Sequence, residues 1–245
     1  HILMEKPISH SLEKVNEFRS ALQQGGGQCL VGFQFRFHPG LRQVKAWLDA
    51  GLVGAPLSAR GHWGEYLPGW HPWEDYTQGY AARPDLGGGV VLTLCHPLDY
   101  LRWLVGEISD VWAFTSHQGL GMAVEDMAEI GLRFSGGCLG SLHLDYIQRP
   151  ASHTLEISGT LGRIGWDNAS GAARLYQADG SKEWQTVDPP AGFERNWLFM
   201  DELRHFLAVM RGETRPLCTL EDGVQALKLA RGVHESAETR QAIRA

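Results

Sequence analysis

Apolar positions fall into two textures along the chain. Up to Gly51 they sit at helical spacing between short apolar runs, and from Leu57 onward they alternate with polar residues. Ile2, Leu3 and Met4 read as the tail of a buried strand. Leu12, Val15, Phe18 and Leu22 predict a surface helix, capped by Ser9 or Ser11 and stopped by Gly25 to Gly27. "QCLVGFQFRF" then predicts a strand rich in β-formers, and Leu41, Val44 and Leu48 predict a second helix ending at Gly51. Strand, helix and strand in that order predict the closing unit of a parallel sheet.

The second texture predicts many short strands. "LSARGHWGEY", "DVWAFTSH", "AEIGLRF" and "LGSLHLDY" alternate, and Ser135, Gly136 and Gly137 form a hairpin turn between the last two. "HTLEISG", "RIGWDN", "ARLYQA" and "EWQTV" continue the series. Two helices close the chain. One carries Trp197, Met200, Leu203, Leu207 and Met210; the other carries Val224, Leu227, Ala230 and His234 behind a capping-box pair, Thr219 and Asp222. The expected fold class is α+β, a large and mainly antiparallel open sheet with helices on one face, preceded by the end of an α/β unit.

Composition narrows the function classes. With 22 basic and 28 acidic residues scattered along 245, the net charge of -6 argues against a nucleic-acid surface and suits small-molecule partners or copies of the same chain. No apolar stretch approaches the ~20 residues of a spanning helix, so no membrane partner is expected. Cys29, Cys95, Cys138 and Cys218 lack CxxC spacing, which suits a reducing, cytoplasmic setting and indicates no zinc site. The opening "HILMEKPISHS" has the features of neither a signal peptide nor a natural start, and implies the later part of something larger.

Candidate chemistry concentrates in four places. In "LGGGVVLTLCHPLDY", residues 86 to 100, Leu94, Leu98, Leu101 and Val105 form a core stripe that leaves His96, Asp99, Tyr100 and Trp103 on another face. A histidine in a first helical turn feels the positive end of the dipole and stays a neutral base, although a lone histidine is more often structural. The glycines suit close approach of a ligand or of other backbone. Lys6 in "EKP" stands at the exit of a parallel strand, where open α/β sheets bind ligands, or is a surface lysine before a helix. The long loop 64 to 80, with Trp70, His71, Trp73, Asp75 and Tyr76, suits a carbohydrate or simple packing. Tyr146 and Arg149 at a strand end could hold an anionic substituent or a neighbouring acid. "GLGMAV" lacks the third glycine of a dinucleotide fingerprint. His143 and Asp145 share a strand face, but a metal needs a third ligand that spacing alone does not locate.

In order along the chain, "EKPISHSLEKV", "VGFQFRFHP", "GGGVVLTLCHPLDYLRWLVG", "VEDMAEIGLRF", "SLHLDYIQRP", "SGTLGRIGWD" and "GVQALKLARGVHESAETR" resemble the glucose-fructose oxidoreductase, inositol dehydrogenase and rhizopine-catabolism (Gfo/Idh/MocA) family. The resemblance implies a two-domain NAD- or NADP-dependent oxidoreductase acting on a sugar, sugar acid or cyclic polyol. Residues 1–37 would be the end of its Rossmann domain, without the glycine fingerprint, and 38–245 the substrate-binding and oligomerisation domain. The chain alone would then be inactive. It further implies Lys6 and His96 as catalytic; Glu5, Lys6, Pro7 and Arg36 at the cofactor; and Trp73, Asp75, Tyr76, Thr93, Tyr146 and Arg149 at substrate. A homodimer or homotetramer would form through the open sheet, and the Lys6-Pro7 bond would be cis. The carboxylate common before the histidine is replaced by Thr93, with the spacing one residue shorter. Two other readings stay open: a non-catalytic ligand sensor of the same fold, and an isolated sheet-mediated dimerisation domain.

Overall fold

The computed structural model describes residues 1–245. It opens on a small parallel unit: β1 (Ile2–Met4), α1 (Val15–Gln24) and β2 (Cys29–Val31), with Leu3 opposite Leu30. α1 is entered through Lys14 in a left-handed conformation rather than through a serine cap. Beyond α2 (Pro39–Asp49) lies β3 (Pro56–Tyr66), the central strand of a nine-stranded sheet. α3 (Val90–Thr93) and α4 (His96–Val105) precede β4 (Ile108–Ser116), β5 (Met127–Phe134), β6 (Leu139–Asp145), β7 (Ile147–Gly159), β8 (Gly162–Asp167), β9 (Ala173–Gln177) and β10 (Trp184–Val187). α5 (Asn196–Met210), α6 (Leu220–Thr239) and a short β11 (Ile243–Arg244) finish the chain. The sheet order is β10-β9-β8-β7-β3-β6-β5-β4-β11, antiparallel throughout except for the parallel β3/β6 pair.

Alternation along the strands sends one set of side chains beneath α2, α4 and α6. Trp63, Ile130, Leu142, Leu144, Leu155, Ile157 and Trp166 are buried there. Each such side chain contributes roughly 1.5–3 kcal/mol on burial. The opposite face has no helix over it, and Trp112, Phe114 and Leu139 are exposed on it. α6 is fixed at its start by the anticipated capping box: Asp222 N donates to Thr219 Oγ1, and Thr219 N donates to Asp222 Oδ2. Its first turns supply Leu220, Val224 and Ala226 to the small core of Leu30, Val31 and Phe33, which joins the opening unit to the rest.

One predicted strand is cut short. β2 stops at Val31, and Gln34–Phe37 form a 3₁₀ turn in which all four residues are buried. A strand would send Gln34 and Arg36 to one face together. The turn instead directs Arg36 inward, where Nε and Nη2 donate to the two carboxylate oxygens of Asp99 at 2.9 and 2.7 Å and Nη1 donates to Leu217 O at 2.7 Å.

Candidate active site

Lys6 leaves the carboxyl end of β1, followed by a cis peptide bond to Pro7. Its ammonium donates to Thr93 O at 2.7 Å, the last carbonyl of α3, where the helix end attracts a cation. His96 opens α4, with Pro97 in the first turn. Both side chains border one cavity of about 440 Å³, together with Glu5, Thr93, Trp63 and Trp70. Leu94 adjoins Thr93, and the other walls come from further segments: Gln34, Glu65, His71, Tyr80, Arg195 and Phe199.

The imidazole is buried, contrary to the expectation that the polar stripe of α4 faces away from the core. His96 is only 2 % exposed, and Asp99 and Tyr100 on the same helix are fully buried. The polar stripe meets a second set of partners. Phe35 and Trp63 pack on His96 with ring centroids 5.1 and 5.6 Å away, and Asp99 is paired to Arg36. Burial drives the His96 pKa well below its ordinary value, with the charges of Lys6, His153 and Arg195 adding to the effect. The neutral imidazole expected from the helix dipole is thus produced chiefly by desolvation. Its Nδ1 is buried without a partner, as is Trp70 Nε1.

Beside this cavity, Arg36 is not free for a cofactor. Burial works against its cation, and Asp99 more than restores it, so the guanidinium pKa rises. Three of the proposed substrate residues in the aromatic loop do not line the cavity either. Trp73 is 77 % exposed, Asp75 turns back to accept from Thr77 N and Oγ1, and Tyr76 packs against the main core. Trp70, His71 and Tyr80 from the same stretch take their place. Tyr146 is fully buried, and its hydroxyl donates to Gly89 O at 3.0 Å. Arg149 lies over the Tyr66 ring, 4.1 Å from the centroid.

The glycine run serves backbone packing. None of its residues lines the cavity. Gly89 has φ +108, and a Cβ there would stand 2.3 Å from Glu125 Oε1. That carboxylate accepts from Val91 N at 3.2 Å and meets His234 Nε2 at 3.0 Å. Glu125 and Tyr146 therefore hold the start of the short helix carrying Thr93, and Lys6 holds its end.

Glu202 is a residue the apolar pattern of α5 conceals. It is buried, and burial, with Glu5 nearby, lifts its carboxyl pKa to about 8. On the open face, His62 of β3 supplies the third group that the spacing of His143 and Asp145 did not reveal; potential ligand atoms of all three lie within 4.8 Å of one another. Both ring nitrogens of His143 already meet carboxylates, Glu129 at 2.6 Å and Asp145 at 2.8 Å.

The α+β scaffold thus carries a cleft that joins a strand-end lysine to a desolvated histidine. The chain belongs to the Gfo/Idh/MocA family: residues 41–165 match the model of the GFO/IDH/MocA C-terminal domain. It is 30% identical to a 1,5-anhydro-D-fructose reductase of Ensifer adhaerens, over 99% of this chain and 72% of that protein. It is 25% identical to a myo-inositol 2-dehydrogenase of Thermotoga maritima, over 100% of this chain and 72% of the relative. Among solved structures, a levoglucosan dehydrogenase in complex with NADH superposes with TM-score 0.90 at 22% identity, covering 100% of this chain and 73% of the other. No helix is long and apolar enough to cross a membrane.

Proposed function

We propose that the native protein is an NAD- or NADP-dependent oxidoreductase that moves a hydride between nicotinamide and a secondary hydroxyl or ketone of a sugar, sugar acid or cyclic polyol. The observation that carries this reading is the meeting of Lys6 and His96 in one cavity. The relatives' sugar and polyol substrates, and the NADH of the levoglucosan dehydrogenase, support it. In this reading residues 1–37 close a nucleotide-binding domain and 38–245 hold substrate.

The cavity's lining fits the nicotinamide end of such a cofactor, because Lys6, His96 and Trp70 border room for a ring. Glu5, Lys6 and Pro7 would hold it. When bound, the cofactor supplies the hydride acceptor or donor. The other half of the reaction belongs to this chain. His96, neutral, takes the proton of the substrate hydroxyl during oxidation and returns it during reduction. Lys6, fixed by the Thr93 carbonyl, stabilises the alkoxide as it develops. Trp63 and Trp70 pack against the ring faces of the sugar and exclude water.

A second reading is favoured by one observation: no carboxylate partners His96, whose Nδ1 is bare. A sensor that has kept the pocket and lost the chemistry would look the same. The experiment is the native protein mixed with NAD or NADP and a panel of monosaccharides, anhydrosugars and inositols. Cofactor-dependent turnover of at least one sugar, abolished in His96→Ala, is the expected result; sugar binding with no turnover of any of them establishes the sensor instead. We also propose that copies pair through the open sheet face, where Trp112 and Phe114 are exposed, with light scattering as the check.

A further inference from the structure

The open face of the sheet carries a donor cluster that the cleft does not use. Strand register assembles it: His62 of β3 stands opposite His143 of β6, His143 stands opposite Glu129 of β5, and two residues further along Gly64 stands opposite Asp145. Alternation along β3 keeps these positions on the side away from Trp63 and Glu65, which line the cleft. The two imidazoles stack with centroids 4.7 Å apart, and potential ligand atoms of His62, His143 and Asp145 lie within 4.8 Å of one another.

Each imidazole turns a nitrogen to an oxygen. His143 Nε2 meets Asp145 Oδ2 at 2.8 Å, and His62 Nε2 meets Gln148 Oε1 at 2.7 Å. Both oxygens lean over the bare backbone of Gly64, where a Cβ would stand 2.3 Å from Asp145 Oδ2 and 2.2 Å from Gln148 Oε1. The space between the donors exists because residue 64 has no side chain. Outer contacts already orient the set. Asp145 Oδ1 accepts from Ile147 N at 2.8 Å and Gln148 N at 2.7 Å, which leaves Oδ2 for the histidine. Glu129 Oε1 meets His143 Nδ1 at 2.6 Å, so a ring protonated on Nδ1 presents the lone pair of Nε2, the carboxylate-histidine arrangement that supports metal ligands.

We propose that His62, His143 and Asp145, with Gln148 Oε1 as a fourth donor, form a structural site for a divalent transition ion of the zinc type. Imidazole nitrogens and carboxylate oxygen suit that ion, and no thiolate takes part, so cysteine spacing carries no sign of it. In the metal-free protein a proton holds His143 Nε2 to Asp145 Oδ2; the ion takes its place, and no group is left unpaired. Bonds of about 2.0–2.1 Å bring tetrahedral ligand atoms to about 3.3 Å from one another, so the widest pair closes by about 1.5 Å. The rings can swing that far because they are half-buried, with the His143 side chain 21 % exposed. Bound there, the ion ties β3 to β6 and to the start of β7 behind the wall of the cleft.

The test is calorimetric titration of the untagged, chelator-treated native protein with Zn²⁺ at neutral pH, with the visible absorption of Co²⁺ as an optical readout. One ion per chain and a raised melting temperature in Zn²⁺ are expected. His62→Gln and His143→Gln should each weaken binding about tenfold or more and remove the thermal shift, with melts in chelator confirming that they fold. Glu129→Gln leaves the ligands in place and should weaken binding about tenfold through the ring it orients. Absence of saturable binding at one ion per chain overturns the site, as does equal affinity in His62→Gln and His143→Gln, which would show that Zn²⁺ sits on other histidines of the surface.

Discussion

On the helix-covered face of the sheet, His153 lies flat against Trp63, ring centroids 4.2 Å apart, and its only polar partner is the Tyr100 hydroxyl at 3.1 Å. On the open face, His143 is held between Glu129 and Asp145 and stacks on His62. Both strands flank β3, yet the two imidazoles are driven in opposite directions. Burial pushes His153 well below its ordinary pKa, and His38 and His96 behave likewise; the Asp145 hydrogen bond leads in raising His143. The covered face keeps histidines neutral and available as donors or bases. The open face keeps one as part of a charge pair. Sheet side, rather than residue type, decides which chemistry a histidine can perform here.

The sharpest way to break that contrast is at the base itself. His96→Ala should lower turnover by about 10²–10⁴-fold while the protein still binds cofactor, as read by steady-state kinetics and a cofactor titration. A loss smaller than tenfold would mean that the neutral imidazole of the covered face is structural. Next in size is the ion pair that seats its helix. Asp99→Ala removes the two-pronged partner of Arg36 and leaves Asp222 at 3.1 Å as its only carboxylate, so it should cost about 3 kcal/mol, the low end for a broken buried pair, in a denaturant melt. Adding Arg36→Met should return part of the loss.

The faces should also separate in their response to acid. A histidine whose folded pKa is depressed destabilises the fold as pH falls, because the unfolded chain binds the proton first. For His38 the window runs from 6.5 down to about 4, corresponding to about 3 kcal/mol at 1.36 kcal/mol per unit. His38→Asn should flatten the pH dependence of stability by that order in paired melts at pH 7 and 4. His143 has the opposite sign. Its contribution is full below its unfolded value and is lost as pH rises through the raised one. Since the pair is partly solvated, His143→Gln should cost at most about 1 kcal/mol at pH 6 and nothing measurable at pH 9. A larger loss at pH 9 than at pH 6 would reverse the assignment.

The strands from β3 to β10 and the helices α2, α5 and α6 could be read from alternation and helical spacing, since each pattern reports how often a side chain meets the core. Partners are another matter. Asp99 and Arg36 each look like surface residues until the 3₁₀ turn of Gln34–Phe37 brings them together. The polar stripe of α4 puts His96 on an outward face for the same reason, because polarity along one helix says nothing about a second layer packed on it. Lys6 and His96 were legible as candidates. Glu65 and Arg195 were not: one is a single side chain within the stretch 64 to 80 and the other comes from a segment without a motif, and nothing local marks either as reaching the cleft. The parallel β3/β6 pairing likewise depends on chain order across the sheet, which hairpin signals do not encode.

The wedge at Gly89 bears on redesign. Any side chain there would meet the Glu125 carboxylate, and the Gly89 carbonyl accepts from the Tyr146 hydroxyl. A mutational library meant to retune substrate choice would do well to leave this peg as wild type. Diversity belongs instead in the turn at 168–170 and the stretch around Trp70 and His71, whose exposed or half-exposed side chains can change without moving the lysine and the imidazole apart.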